Sequence, residues 1–420
     1  YIFFMSSYAP LGIEWLPWHS QRIYNFSEFL ALNGYFSNYG FSIWNKCESC
    51  SLDPENWKDR IYLSIPIFSN IFYVVFNDLF GGNNLKQYGH VIDKTIIFLT
   101  GIIFAEIYQH FSNKKISNLR LFLKSSIIFT FFIINPWTYK MILGAWANIY
   151  FPIFFLLGFL FFLKNNYTFG LLFFFLAGLF DYQSSAGLAF YYILLTTIFF
   201  FKKDKQLKTS YFPTNVISDR AEYKIIFSLL ISVFIYLILR LIAMNEMETT
   251  VGTSILTRIG ISGDDFHNGG LLGSLQFLGG NRITACLIDF DLKNISDMSK
   301  SIKVYNCILS ITSMVFLSIL SVIGLFFLKS DNNLLYNSII LPILFILLSY
   351  TFILQQSSSV HLMGYSYFFS FIFSIGITSI IFRYLEKFKF SIPVIILTIP
   401  VLFGIIFLCI RVSMLTGVNG

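Results

Sequence analysis

Unbroken apolar runs, most of them near the length that crosses a bilayer, recur along this chain and constrain its fold more than any other feature. They fall at 1–12 (the end of a span), 91–111, 125–135, 147–163, 168–180, 185–201, 223–243, 304–328, 334–354, 362–382 and 391–411. An α-helix rises 1.5 Å per residue, so roughly 20 apolar residues cross the hydrocarbon core of about 30 Å. The expectation is an all-α polytopic membrane protein with about eleven transmembrane helices. Composition agrees, with 56% hydrophobic and only 12% charged residues, about half the charge of an ordinary soluble domain. Phe is unusually frequent at 52. With Ile, Asn, Tyr and Lys also abundant, this reads as AT-rich coding and points to a bacterium rather than to an aromatic binding surface.

Charge placement orders the spans. Alternating the loops puts Lys114, Lys115, Arg120, Lys124, Lys164, Lys202, Lys203, Lys205, Lys208, Arg220, Lys224, Lys329, Arg383, Lys387 and Lys389 on one side, in short connections. By the positive-inside rule that side is cytoplasmic. The net charge of +7 therefore speaks of topology and the lipid bilayer, and not of nucleic acid. The stretch 61–80 is apolar but interrupted by Pro66, Asn70, Asn77 and Asp78. Counting it as a span breaks the alternation, so it is expected to lie along the outer surface as an interfacial helix. Two large extracytoplasmic loops result, 13–90 and 244–303, within a single transmembrane domain of 1–420 that shows no internal repeat.

Candidate chemistry collects on the outer side. Glu14 follows the first span directly, beside Trp15 and Trp18. A carboxylate there suits a general base or a metal ligand; an interfacial aromatic belt with incidental charge gives the same pattern. Cys47 and Cys50, two residues apart on an oxidising side, read as a structural disulfide. Asp181 stands between two spans, ahead of Gln183, Ser184 and Ser185, and either faces a cavity or sits in a solvated turn. In the second loop Asp264, Asp265 and His267 are candidate ligands for a divalent cation such as Mg or Mn. Arg258 and Arg282 are candidate phosphate ligands among glycines that open the backbone to a ligand. Arg240 ends the 223–243 run, where a cation must pair or snorkel and can hold a lipid phosphate. His361 opens the 362–382 run on the same outer surface.

The long first outer loop with an acid immediately after the first span, together with Asn135-Pro136-Trp137 and the outer acid Asp181, resembles the C-type glycosyltransferase (GT-C) superfamily. A paired Asp-Asp or Asp-Glu, common in that family, is absent from the loop. The resemblance covers the topology of nearly the whole chain. It implies a polyprenyl-phosphate-linked sugar as donor and transfer on the outer face of a bacterial inner membrane, in cell-envelope polysaccharide biosynthesis. It also implies Glu14 as base, Asp181 and His361 around donor or acceptor, and a cation among Arg240, Arg258 and Arg282 on the lipid phosphate. Two other classes share the span count. A polysaccharide polymerase or ligase would fit Arg258 and Gly269 at their ten-residue separation, and a transporter or flippase would require polar residues buried at mid-span.

Overall fold

The computed structural model describes residues 42–43, 61–62, 68, 71–72, 75, 79, 85–111, 117–134, 150–202, 211, 221–245, 298–352, 362–387, 399 and 402–406. Almost all of them are helical. The exception is a two-residue antiparallel ladder of β1 (Ser42–Ile43) and β2 (Ile61–Tyr62), with Ser42 opposite Tyr62. The apolar stretch 61–80 thus opens in an extended conformation. Phe68, Ile71, Phe72, Val75 and Leu79 after it are helical.

The chain forms two compact units, 1–110 with 141–255, and 111–140 with 256–420. The first unit carries α1 (Leu85–Phe111), α3 (Tyr150–Leu163), α4 (Tyr167–Phe180), α5 (Tyr182–Lys202) and α6 (Ala221–Asn245). The second carries α2 (Asn118–Ile134), α7 (Met298–Asp331), α8 (Leu341–Phe352) and α9 (Leu362–Lys387).

Among the described residues two helices are long and apolar enough to cross a membrane, Tyr182–Lys202 and Glu222–Ala243, and less than half of each is buried. Their open faces are apolar: Phe190, Ile193, Leu194, Phe200 and Phe201 on α5, and Phe227, Leu230, Phe234, Leu241 and Ile242 on α6. Ser228, Ser232 and Arg240 of α6 are instead buried. A helix in water turns its polar side out; apolar sides out and polar sides in suit a lipid solvent.

Because lipid tails are as apolar as the helices, close packing and interhelical hydrogen bonds hold such a bundle together. The α3–α4 hairpin shows how local sequence supplies both. Asn165 adopts a left-handed backbone with φ of 58°, a conformation asparagine tolerates better than most residues. The Asn166 N–H then reaches the Phe161 carbonyl at 2.8 Å and the Asn165 N–H that of Phe162 at 3.0 Å, the paired bonds of a Schellman turn. The Asn166 side chain caps α4 by accepting from the Phe169 N–H at 3.4 Å. Gly158 faces the Phe174 ring and Gly170 faces Phe162, so two phenylalanines fill the space that side chains there would occupy. Lys164 in the turn donates to Glu106 of α1 at 2.6 Å. This pair is about 40% exposed on each side and contributes under about 1 kcal/mol.

α4 and α6 run parallel. Ser228 Oγ donates to the Leu171 carbonyl at 2.7 Å, and further along Gly178 lies against Ser232, where even a methyl group would overlap the hydroxyl.

In the second unit α7 and α9 also run parallel, and they touch backbone to backbone: a Cβ on Gly324 would overlap the Gly376 carbonyl, and one on Gly376 would meet Ser321. α2 lies antiparallel to α9, with Phe132 near Phe371 at 6.3 Å and Lys124 over the Phe382 ring at 4.7 Å. Asn332 separates α7 from the next helical run. Its side chain accepts from the Leu335 N–H at 3.0 Å. That run opens with a turn at Asn333–Leu335 and a π-helical segment, Tyr336–Ile340, before α8.

Candidate functional site

Of the side chains nominated from sequence, Asp181 and Arg240 lie among the described residues. Glu14, His361, Arg258, Arg282, Asp264, Asp265, His267, Cys47 and Cys50 lie outside them.

Asp181 ends one helix and starts the next. Its N–H reaches the Ala177 carbonyl at 2.9 Å, closing α4, and its carbonyl accepts from Ser185 at 3.1 Å, opening α5. The carboxylate caps α5: Oδ1 accepts from the Gln183 N–H at 3.2 Å and the Ser184 N–H at 3.1 Å, and Oδ2 accepts from Ser184 Oγ at 2.6 Å. These N–H groups have no partner within the helix, and the negative charge sits at the positive end of its dipole. Asp181 is 2% exposed and Ser184 fully buried, so the acid is neither in a solvated turn nor free of neighbours. The Asp-x-x-Ser spacing was the sequence signal for this cap.

Asp181→Ala therefore costs about 3 kcal/mol of stability, through the lost cap and the buried donors left behind, whereas Asp181→Asn costs under about 1 kcal/mol. Thermal midpoints in detergent check this. Equal losses for the two substitutions would mean the charge matters and the cap does not.

The next residue, Tyr182, stacks on Tyr236 of α6, ring centroids 3.7 Å apart and planes 11° from parallel. Gln183 Nε2 donates to the Tyr182 hydroxyl at 2.9 Å. This stack sets the start of α5 level with Tyr236. Arg240 follows Tyr236 by four residues, hence on the same face one turn on. It is 8% exposed, on the packed side of α6 with Leu229, Ser232 and Tyr236 and not on the lipid side. α6 continues nine residues beyond Tyr236 to Asn245, about 14 Å at helical rise.

The lengths of α4 and α6 set the level of these residues. α4 is only 14 residues long and capped at both ends, so it reaches about 21 Å against a hydrocarbon thickness near 30 Å. Asp181, Tyr182, Ser184, Ser232, Tyr236 and Arg240 thus form a polar layer about the level of Tyr236, nine residues short of the end of α6, with Asp181 at the join of α4 and α5 as the sequence placed it. Ser185 Oγ is fully buried there beside Gly178.

No family model, curated protein or solved structure matches this chain. The layer's chemistry must speak for itself.

The layer offers hydroxyls, one engaged carboxylate and one guanidinium, a set that recognises an anion better than a cation. Among the described residues no group of three or more His, Cys, Asp or Glu side chains gathers to hold a metal ion, and the ligands nominated from sequence all fall outside that region. At the base of the unit the α5 run brings Phe199 near Tyr211, at 5.8 Å. At the level of the layer Tyr150 and Phe180 pack with Phe72, ring centroids 5.2 and 6.1 Å from Phe72.

Proposed function

We propose that the chain is a bacterial inner-membrane glycosyltransferase of about eleven spans, which moves a sugar from a polyprenyl-phosphate donor to an acceptor on the extracytoplasmic face. The observation that carries this reading is Arg240, a permanent cation buried on the packed face of α6 below that helix's end. A buried ionisable group within an apolar helix marks a candidate working site by default. Arg240 lies toward the end of α6 that the positive-inside rule assigns to the side with no excess of basic loops. A lipid-linked phosphate fits it chemically: its isoprenoid chain stays among the apolar faces while its phosphate reaches a guanidinium fork.

In this reading the anomeric carbon–oxygen bond to phosphate breaks and the departing phosphate takes the electron pair. Arg240 offsets the charge that develops there. Glu14 takes the proton from the acceptor hydroxyl as that oxygen forms the new bond, and one displacement inverts the anomeric centre. Asp181, with both carboxylate oxygens engaged, positions α5 rather than meeting substrate. In this reading 61–80 is interfacial, and Phe72 is its contact with the bundle. The middle of that stretch packs against Tyr150 and Phe180, at the start of α3 and the end of α4.

Native mass spectrometry of the detergent-purified chain tests the reading. A co-purifying polyprenyl phosphate or its sugar adduct is expected, lost at least tenfold in Arg240→Ala and kept in Lys164→Ala; a buried charge-assisted phosphate contact of this kind is worth about 1.5–3 kcal/mol. A chain that carries only bulk phospholipid overturns it.

A further inference from the structure

The second unit holds a basic side chain that its own surroundings penalise. Lys124 stands just before the 125–135 run and is 5% exposed, with its Nζ 4.7 Å over the Phe382 ring. Asn118, Leu119, Arg120, Phe122 and Leu123 before it are all exposed. The start of α2 therefore stands largely clear of the bundle, and the helix enters it at Lys124 and Ser125. On α9, Glu386 follows Phe382 by one turn. On α7, Asp331 is the last residue. Both carboxylates act on Lys124 through their charge. Asp331 is shared, because Arg383 Nη1 meets its Oδ1 at 3.5 Å while the guanidinium lies 4.4 Å over the Phe327 ring. Helical register adds two exposed cations, Arg120 one turn before Lys124 and Lys387 one turn after Arg383. Lys329 of α7 lies instead 5.6 Å over Tyr336.

A buried amine can be accommodated as a charge beside carboxylates or as a neutral group that has given up its proton. Burial lowers the Lys124 amine from the usual lysine value of 10.5 to about 7, against the opposite influence of Glu386 and Asp331. Neither carboxylate belongs to Lys124 alone: Asp331 also serves Arg383, and Glu386 is exposed, where solvent screens it. A lysine in water keeps its proton up to about pH 10.4. A state in which the start of α2 swings Lys124 into solvent thus binds a proton more tightly than the packed state does. Packing is favoured at high pH, loses ground as pH falls from the solvated value to the packed one, and changes no further below that.

We propose that the meeting of α2, α7 and α9 at Lys124 is a proton-opened latch. Uptake of one proton from solvent by the Lys124 amine releases the start of α2 from Phe382, Asp331 and Glu386, and loss of that proton closes it. Asp331 stays with Arg383, which keeps α7 joined to α9 while α2 opens. The latch lies wholly within the second unit and is independent of the polyprenyl-phosphate reading.

Two measurements on the intact chain in detergent test it. In carbon-13 NMR of labelled lysine, one Cε is expected to titrate near pH 7 and the others near about pH 10. Lys124→Met should remove that early titration alone. Glu386→Gln, an exposed change that withdraws one attractive charge, should move it to lower pH. In hydrogen exchange, corrected for the pH dependence of a free amide, opening of residues 118–125 should rise about fiftyfold from pH 9 to pH 7, and only about twofold more down to pH 5. Lys124→Met fills similar space with no proton to take up, and should hold the segment closed throughout. Lysines that all titrate above pH 9 would overturn the latch, as would an early titration that survives in Lys124→Met. An early titration that exchange at 118–125 does not follow would overturn it too, because the charge on Lys124 would then move nothing. The same holds for an opening that rises equally in Lys124→Met, which would belong to another group.

Discussion

Gly324→Ala is expected to abolish the native second unit: the purified chain should lose monodispersity in mild detergent and show no cooperative thermal transition. The added methyl group would occupy the place of the Gly376 carbonyl oxygen. The obstacle is backbone, which cannot swing aside as a side-chain tip can, so α7 and α9 must separate along their whole contact. Overpacking of a well-packed site costs about 1–3 kcal/mol where side chains yield. Here separation also forfeits the dispersion contacts that replace the hydrophobic effect between helices in lipid, so a loss beyond about 3 kcal/mol follows. Gly376→Ala should do the same through Ser321. Gly404 has nothing within 4 Å of the position a Cβ would take, and Gly404→Ala should leave the midpoint unchanged or slightly raised. A Gly324→Ala chain as stable as wild type would show that α7 and α9 do not cross at these glycines.

On the proposed glycosyltransferase reading, Glu14→Gln is expected to lower sugar transfer by about a hundredfold to ten-thousandfold while leaving expression, thermal midpoint and lipid co-purification unchanged. Gln keeps the size and hydrogen-bonding atoms of the side chain and removes only the ability to take a proton. The effect should therefore fall on kcat and not on KM, because donor phosphate and acceptor still bind. Turnover at the wild-type rate would remove Glu14 from the role of base and return it to an interfacial belt with Trp15 and Trp18. Asp181→Asn separates the two acids further. Its cap survives, so transfer should persist near the wild-type level, and a collapse of activity in a stable Asp181→Asn chain would make Asp181 a catalytic residue after all.

The legible and illegible parts of the candidate site divide by the range of the interactions involved. The acid at 181 and the cation at 240 stand out in sequence because charge within apolar runs is rare. That Asp181 is consumed by a cap follows from the Asp-x-x-Ser spacing, a local pattern. The stack of Tyr182 on Tyr236 joins residues 54 positions apart, and nothing in either segment announces it. The same holds for the hydroxyl of Ser228 on the Leu171 carbonyl. The buried Lys124 is the reverse case. In sequence it is one more basic loop residue before an apolar run, but the helix begins at Asn118, which draws Lys124 into the bundle against Phe382.

Sequence by itself determined which segments are apolar and where the charged residues fall. The cost of an unsatisfied backbone in apolar surroundings acts on each segment separately, and the apolar runs among the described residues are helical. It also determined the caps and turns, because Asn165, Asn166 and Asp181 act on neighbours within four residues. Only the tertiary structure decided which helices meet and at what depth. Glycine-to-backbone contact at 324 and 376, and the short α4 against the long α6, depend on partners far away in the chain. That offset in length, invisible in either helix alone, is what sets Asp181 and Tyr182 level with Tyr236, nine residues short of the end of α6.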